Sequence, residues 1–183
     1  MLVAAVLAAL VAASGAALAE NIAGGNGDNH LVGTGGRDVI SGAGGNDEIY
    51  GKGDFDRLFG DSGDDDVYGG KAGDALQSGL GQDDLFGQGG NDFANAIDGK
   101  PNDSVDCGRG DNDLAGIDVF APLGPGEDQV SDNCEVLYVA FPECPCPSSQ
   151  RSSADAVARL SEITSVKEAE KAVDAGLLKK VER

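Results

Sequence analysis

The feature that most constrains this chain is a nine-residue repeat that runs without a gap from Gly24 to Asn95. Seven of its eight cycles open on glycine, and the seventh opens on Ser78. The sixth position is Asp in every cycle but the first, which has Asn29, and the eighth is aliphatic in the first seven cycles and Ala94 in the last. A chain that keeps three positions in register over so many cycles is expected to fold as a stack of equivalent units.

Each cycle divides into a turn at positions 1 to 6 and a strand at positions 7 to 9. Glycine adopts the φ > 0 conformations that such turns need. Along the strand, the side chain at position 8 points to one face and its neighbours to the other, so stacked cycles build an apolar inner row. Two cycles make one coil of 18 residues. The predicted fold class is therefore all-β: a right-handed parallel β-roll, that is, a β-helix solenoid, with a disulfide-stapled cap and a short helical C-terminal tail.

The sixth-position carboxylates supply the hard oxygen atoms that calcium prefers. The pattern resembles the hemolysin-type, or RTX, calcium-binding nonapeptide repeat. That resemblance implies that Ca²⁺ lies between successive turns on one side of the roll, held by sixth-position side chains and turn carbonyls, with about six ions in all. The implied ligands form an odd row, named after the odd cycles, of Asn29, Asp47, Asp65 and Asp83, and an even row of Asp38, Asp56, Asp74 and Asp92.

The two rows differ at position 4 of their turns. The odd cycles all carry glycine there, whereas the even cycles include Asp54 and Ala72. If position 4 needs φ > 0, Asp is tolerated better than Ala. We therefore expect tighter calcium binding on the odd row, with Asn29 a weaker neutral ligand at its end.

The alternative to a folded repeat is a flexible acidic linker with Asx-type turns, but a linker does not require an aliphatic residue at every ninth position.

The N-terminal residues 2–18 are apolar and small, and they end in an Ala-Leu-Ala site. This is typical of a secretory signal peptide, so we predict cleavage after Ala19, a secreted or extracellular protein, and no stable membrane span after cleavage. A retained membrane anchor is the alternative.

Charge is concentrated in the repeat body. Residues 20–146 contain 26 acidic and 6 basic residues, and the whole chain has a formal net charge of −19. Such charge disfavours nucleic acid as a partner. It also repels itself in a compact body, so we expect the roll to be largely unfolded without calcium, its folding and its ion binding being one event.

Degenerate cycles follow the repeat in a predicted capping region, 96–141, after the roll at 20–95. Asp103, Asn112 and Asp128 fall at the sixth position there, and solvated turns and calcium ligation both remain open for them. Four cysteines in an exported chain favour disulfides over metal. Cys107 with Cys134 would staple the last coils and leave Cys144 with Cys146, although three connectivities are available.

A Pro- and Ser-rich linker at 142–153 leads to a predicted helical tail at 154–183. The ninth positions of the odd cycles place Tyr50, Tyr68 and Phe86 in an aromatic ladder on the outside of one sheet. Three roles remain open for this ladder: cross-strand stacking, docking of the tail helices, or binding of an outside protein or glycan.

The sequence shows no catalytic arrangement. The single histidine, His30, lies at an outward position without a nucleophile motif, and the recurring carboxylates are better explained as ligands. We therefore predict a non-enzymatic calcium-binding protein with a surface, matrix or interaction role. The alternative is an accessory calcium-dependent module of an exported enzyme or adhesin.

Overall fold

A computed structural model describes residues 18–100, 102–118, 128–134, 136–140, 171, 173–174 and 178–182. Successive strands alternate between two sheets except for the last two, which both belong to sheet A, so that each cycle of the repeat crosses from one sheet to the other. Sheet A contains, in order, β1 Asn21–Ala23, β3 Val39–Ser41, β5 Arg57–Ser62, β7 Ala75–Leu80, β9 Phe93–Ala96, β11 Leu114–Asp118, β13 Val136–Ala140 and β14 Leu178–Glu182. Sheet B contains β2 His30–Val32, β4 Glu48–Lys52, β6 Asp66–Lys71, β8 Asp84–Gly89, β10 Ser104–Asp106 and β12 Gln129–Val130.

Parallel pairing with a constant offset confirms the predicted coil. Ile40 pairs with Leu58 and Leu58 with Leu76, an offset of 18 residues, and sheet B repeats the same offset between its strands β2 to β8. The strands in the middle of the roll are longer than the predicted three residues, because pairing continues into the first positions of the next cycle. The fold is an all-β parallel solenoid, as predicted.

The eighth-position side chains form the core. They are stacked in the interior between the sheets, and each is at most 1% exposed from Ile40 onward: Ile40, Ile49, Leu58, Val67, Leu76, Leu85 and Ala94. Leu31, in the first coil, is only partly buried, because it has neighbours on one side of the stack. Burial of one such aliphatic side chain contributes about 1.5–3 kcal/mol, so the row supplies the main stabilisation of the roll.

The coils continue past the regular repeat. Strands β10 and β12 extend sheet B, and β11 and β13 extend sheet A, all of them pairing in parallel. The disulfide predicted between Cys107 and Cys134 is present, with a Cα–Cα distance of 5.2 Å, and both residues pack into the core. Cys144 and Cys146 lie outside the described residues.

The C-terminal tail differs in part from the predicted helical segment 154–183. Lys171, Val173 and Asp174 are helical, but Leu178–Glu182 form β14, which pairs antiparallel with β13. The physical reason is that β13 would otherwise present an unpaired edge, and a strand at that edge satisfies its backbone groups. The rest of the predicted tail, the linker 142–153 and the predicted signal peptide up to residue 17 lie outside the described residues. No helix in the described ranges is long and apolar enough to cross a membrane.

Candidate calcium-binding rows

The sixth-position carboxylates are linked from coil to coil by hydrogen bonds. In each row the backbone N–H of one sixth-position residue donates to Oδ1 of the Asp one coil further on, at 2.7–2.8 Å. These bonds connect Asn29 to Asp47, Asp47 to Asp65 and Asp65 to Asp83 in the odd row, and Asp38 to Asp56, Asp56 to Asp74 and Asp74 to Asp92 in the even row. The structure therefore brings together the residues of each row as predicted.

Along the rows, the second carboxylate oxygen has no hydrogen-bond partner except in Asp38, whose Oδ2 accepts the amide of Thr34 at 2.5 Å. Oδ2 is buried and unpaired in six of the predicted ligands: Asp47, Asp56, Asp65, Asp74, Asp83 and Asp92. Burying a charged oxygen without a partner is costly, and native proteins seldom leave such a group unsatisfied. One unpaired oxygen recurring in coil after coil fits a bound cation.

Backbone carbonyls lie beside these unpaired oxygens. A Cβ placed on Gly51 would lie 2.5 Å from Asp56 Oδ2 and 2.5 Å from the carbonyl oxygen of Gly69 in the next coil. On Gly69 itself, a Cβ would lie 2.8 Å from Asp74 Oδ2 and 2.8 Å from the carbonyl oxygen of Gly87. Position 1 is therefore glycine because two oxygen atoms occupy the space of a side chain. This corrects the expectation that all the glycines serve φ > 0.

The left-handed backbone lies at positions 2 and 4 instead. At position 4, Gly45, Gly63 and Gly81 of the odd cycles have φ between +100° and +159°, whereas Asp54 and Ala72 of the even cycles adopt +68° and +91°. The predicted need for φ > 0 at position 4 is confirmed from the third cycle onward, but Gly27 and Gly36 in the first two cycles do not have positive φ. Position 2 was missed, because non-glycine residues hold positive φ there, among them Ala43, Lys52, Asp61 and Gln88.

The odd turns also carry an outer chain of hydrogen bonds at position 5. The amide of Asn46 donates to Asp28 Oδ1, that of Asp64 to Asn46 Oδ1, and that of Gln82 to Asp64 Oδ1, at 2.9–3.0 Å. The even cycles read Arg37, Phe55, Gly73 and Asn91 at this position, and only Asn91 Oδ1 accepts such a bond, from the amide of Asp111 at 3.3 Å, among the described residues. Sequence reasoning missed this chain of hydrogen bonds, which the polar side chain at position 5 of each odd cycle could have indicated.

Burial raises the pKa of the row carboxyls from Asp47 onward. It raises the pKa of Asp56 and Asp65 to about 6 and that of Asp74, Asp83 and Asp92 to about 7, each opposed by a backbone hydrogen bond. Desolvation disfavours the charged form of a buried carboxyl, and a nearby cation reverses that preference. The rows therefore place carboxylates where a divalent ion relieves their electrostatic cost.

The chemistry of the donor set is that of calcium. No cluster of three or more His, Cys, Asp or Glu side chains suited to a metal occurs in the described part of the chain. A complete ligand set must then combine carboxylates with turn carbonyls, which Ca²⁺ accepts in its flexible shells of six to eight oxygens. The residues present fit a calcium ion at each interval between coils.

Each row extends by one coil beyond the predicted ligands. The N–H of Asp83 donates to Asp103 Oδ1 at 2.9 Å, and the N–H of Asp92 donates to Asp113 Oδ1 at 2.8 Å. Asp103 thus holds its predicted sixth position, but Asn112 does not: it is exposed, and the buried Asp113 takes that place. Cys107 occupies the place next to Gly87 in the stack, so the turn after it has one extra residue, which a fixed nine-residue spacing could not detect.

Asp128 is buried as well, but both of its oxygens accept backbone amides. Its Oδ1 accepts from Asn102 and Asp103 at 3.1 Å, and its Oδ2 accepts from Asp118 at 2.6 Å. Asn29, at the other end of the odd row, is half-buried, and its Oδ1 accepts the amide of Gly25 at 2.6 Å. Neither end residue therefore offers the unpaired buried oxygen found along the rows.

The aromatic ladder is formed on the outer face of sheet B. Tyr50 and Tyr68 stack with ring centroids 4.6 Å apart and planes 6° apart, and Tyr68 stacks on Phe86 at 4.8 Å and 7°. His30 meets Tyr50 edge-on, and Nδ1 of His30 lies 2.7 Å from Glu48. Both faces of the Tyr68 ring are therefore occupied by neighbouring rings.

Comparison with known proteins agrees with this geometry. Residues 23–58, 42–75 and 59–94 match the family model described as RTX calcium-binding nonapeptide repeat (4 copies). The matched segments span the regular coils, in which the unpaired carboxylate oxygens recur. Neither the curated proteins nor the solved structures give a match.

Proposed function

We propose that this protein, a β-solenoid of hemolysin-type RTX calcium-binding repeats, is secreted and folds on binding Ca²⁺ between its stacked turns. The observation that carries the proposal is the buried, unpaired Oδ2 that recurs along both rows. Each ion offsets two negative charges of a strongly acidic body, so folding and binding are coupled. The stiffened roll serves a surface, matrix or interaction role.

The extended rows raise the proposed number of sites. Besides the six intervals predicted from the regular repeat, Asp83–Asp103 and Asp92–Asp113 each provide one more, which gives about eight ions. Asp83 and Asp92, which begin these two intervals, each have an unpaired buried Oδ2, and Asp103 and Asp113 are fully buried.

Far-UV circular dichroism of residues 20–183 tests this function. With chelator we expect a largely disordered spectrum, and with millimolar calcium a β spectrum. Magnesium should fail to substitute, because it demands near-ideal octahedral geometry and dehydrates reluctantly. A β spectrum that is the same with chelator and with calcium would contradict the coupling of folding to ion binding.

The odd row is proposed to bind more tightly than the even row. Its position-4 glycines take up φ > 0 without strain, and its outer chain of position-5 hydrogen bonds holds successive turns together. Asp65→Asn should therefore reduce calcium affinity more than Asp56→Asn, measured by calorimetric titration of both variants. Equal losses would remove the distinction between the rows.

Secretion is supported by where the roll begins. Strand β1 starts at Asn21, and the N–H of Glu20 donates to Asp38 Oδ1 at 2.7 Å. Cleavage after Ala19 would convert that donor into an α-ammonium group and make its bond to Asp38 charge-assisted. N-terminal sequencing of protein from the culture medium should begin at Glu20. Recovery of the chain only from cells, with residues 1–19 attached, would contradict secretion.

We propose no catalytic activity for this chain. His30 and Glu48 are exposed on the outer face of sheet B, and no serine or cysteine side chain bonds to His30 among the described residues. Purified protein should show no hydrolytic activity, with or without calcium. Hydrolytic activity that copurifies with the chain and is present both with and without calcium would contradict this proposal and favour an enzyme.

For the aromatic ladder we propose cross-strand stacking. A sugar that stacks on an aromatic ring needs a free ring face, and the faces between Tyr50, Tyr68 and Phe86 are engaged by one another. Solvent therefore meets mainly the ring edges. A partner at this surface, as in the accessory-module alternative, would be detected by pull-down with the calcium-loaded roll and lost in Tyr68→Ala.

A further inference from the structure

Asp98 stands where the regular coils carry glycine. It occupies position 1 of the first degenerate cycle, whose sixth residue is Asp103. At position 1 of the regular coils, a side chain would point directly at the sixth-position carboxylate of its own cycle, as the 2.5 Å approach to Asp56 Oδ2 from Gly51 shows. Asp98 therefore stands at the position that adjoins the sixth-position carboxylate of its cycle, which here is that of Asp103.

Both of these carboxylates are buried, and each has one unpaired oxygen. Asp98 is 7% exposed and Asp103 is fully buried, and Oδ2 of each lacks a hydrogen-bond partner. Their other oxygens are held, because Asp98 Oδ1 accepts the amide of Lys100 at 2.6 Å and Asp103 Oδ1 accepts that of Asp83 at 2.9 Å. Each residue thus has one oxygen fixed by the backbone and one available to a ligand.

Two further acids hold this segment in place. Asp118 Oδ2 accepts the amides of Asp98 and Gly99 at 3.0 and 2.6 Å, and Asp128 Oδ1 accepts the amide of Asp103 at 3.1 Å. Oδ2 of Asp118 and both oxygens of Asp128 accept backbone amides, so these two acids act as positioning residues. They fix the backbone on which Asp98 and Asp103 sit.

We propose that Asp98 and Asp103 bind one additional Ca²⁺ at the C-terminal end of the odd row. This site differs from the intervals of the repeat because both carboxylates come from a single cycle. It therefore needs no following coil to supply a second carboxylate. The two oxygen ligands favour a hard cation, and the surrounding turn favours one that accepts irregular geometry. The proposal rests on the proposed function only in the choice of calcium.

Native mass spectrometry of the mature chain in calcium counts the bound ions and tests the proposal. Asp98→Asn keeps an acceptor for the Lys100 amide, and Asp98→Gly restores the residue that the regular coils carry. Both variants should hold one ion fewer than the wild type. The control is Asp84→Asn, which removes one exposed charge on the neighbouring strand β8 and should leave the count unchanged.

The outcomes separate this site from the rows. An unchanged count in both Asp98 variants would overturn the additional site, while a reduced count in Asp65→Asn would still support the proposed function. An unchanged count in Asp65→Asn would instead contradict the function itself. Failure of Asp98→Gly to fold in saturating calcium, checked by circular dichroism, would also overturn the proposal, because loss of one terminal ion leaves the regular intervals intact.

Discussion

A single methyl group at Gly51 tests whether the oxygen atoms beside position 1 form the ion site. In Gly51→Ala the new Cβ would lie 2.5 Å from two oxygens, Asp56 Oδ2 and the Gly69 carbonyl, where real Cβ contacts essentially never come closer than about 3.0 Å. The Gly69 carbonyl belongs to the backbone of the next coil. To relieve the clash with the new Cβ, Asp56 must rotate or the two coils must separate. Either movement disturbs the proposed ion site between Asp56 and Asp74.

The matched control is two residues away. A Cβ on Gly53 meets nothing within 4 Å, and neither Gly51 nor Gly53 has positive φ. Forcing one extra carbon into a packed site typically costs about 1–3 kcal/mol. In an open position, Gly→Ala instead stabilises by about 0.4–1 kcal/mol, because it reduces the entropy of the unfolded chain. The two alanines should therefore shift the free energy of unfolding in opposite directions.

Urea denaturation in saturating calcium measures that free energy, and a calcium titration followed by circular dichroism measures the ion requirement. Gly51→Ala should lower the urea midpoint and raise the calcium concentration needed for folding, whereas Gly53→Ala should leave the calcium requirement unchanged. The reasoning is refuted if the two variants behave alike, or if Gly51→Ala loses stability while its calcium requirement stays that of the wild type.

Three more predictions concern pH, the strained turn and the ladder. The pKa of Asp74 is raised from 3.8 to about 7 in the folded state, as is that of Asp83, so between about pH 4 and pH 7 the folded state binds more protons than the unfolded state. Far-UV circular dichroism in chelator should therefore show more β structure as the pH falls from 7.5 to 5, while the calcium midpoint moves to higher calcium; no gain of β structure together with a lower calcium midpoint would contradict the buried carboxyls. Ala72→Gly relieves a φ of +91° and should stabilise the folded state by up to about 1 kcal/mol in urea denaturation, and destabilisation would contradict the strain. Tyr68→Ala removes two ring contacts and should cost about 1–3 kcal/mol, clearly more than Phe59→Ala, whose ring stacks on no other ring in the described part of the chain; equal costs would rule out a contribution from stacking.

The nine-residue period was sufficient to predict the coil, the inner row and the alignment of the carboxylates. Each of these follows from geometry that repeats: Leu58 is buried because its neighbours one coil away are equally apolar, and Tyr50 meets Tyr68 because both stand at the same position. A repeated unit that contacts only its neighbours leaves few alternatives.

The parts that could not be predicted are those where the repeat breaks or where two different constraints favour glycine. The extra residue before Asp113 shifts the ligand position by one, and only pairing with the preceding coil reveals it. Position 1 is glycine because oxygen atoms crowd the space of a side chain, whereas position 2 has positive φ and still accepts Lys52. The presence or absence of glycine therefore does not show which positions need positive φ. Strand β14 depends on an edge that exists only in the folded roll.

That final strand also determines which edge sheet A presents among the described residues. Parallel stacking of identical coils has no intrinsic stop, because each coil presents the next with the same edge that it has just paired. Strand β14 runs in the opposite direction, so the hydrogen-bonding edge that it presents does not match the first strand of another roll. A strand added at this edge would pair with β14 rather than with a strand of the parallel coils. The parallel stacking of sheet A therefore stops at β13, and the edge beyond it is no longer a copy of the edges inside the roll.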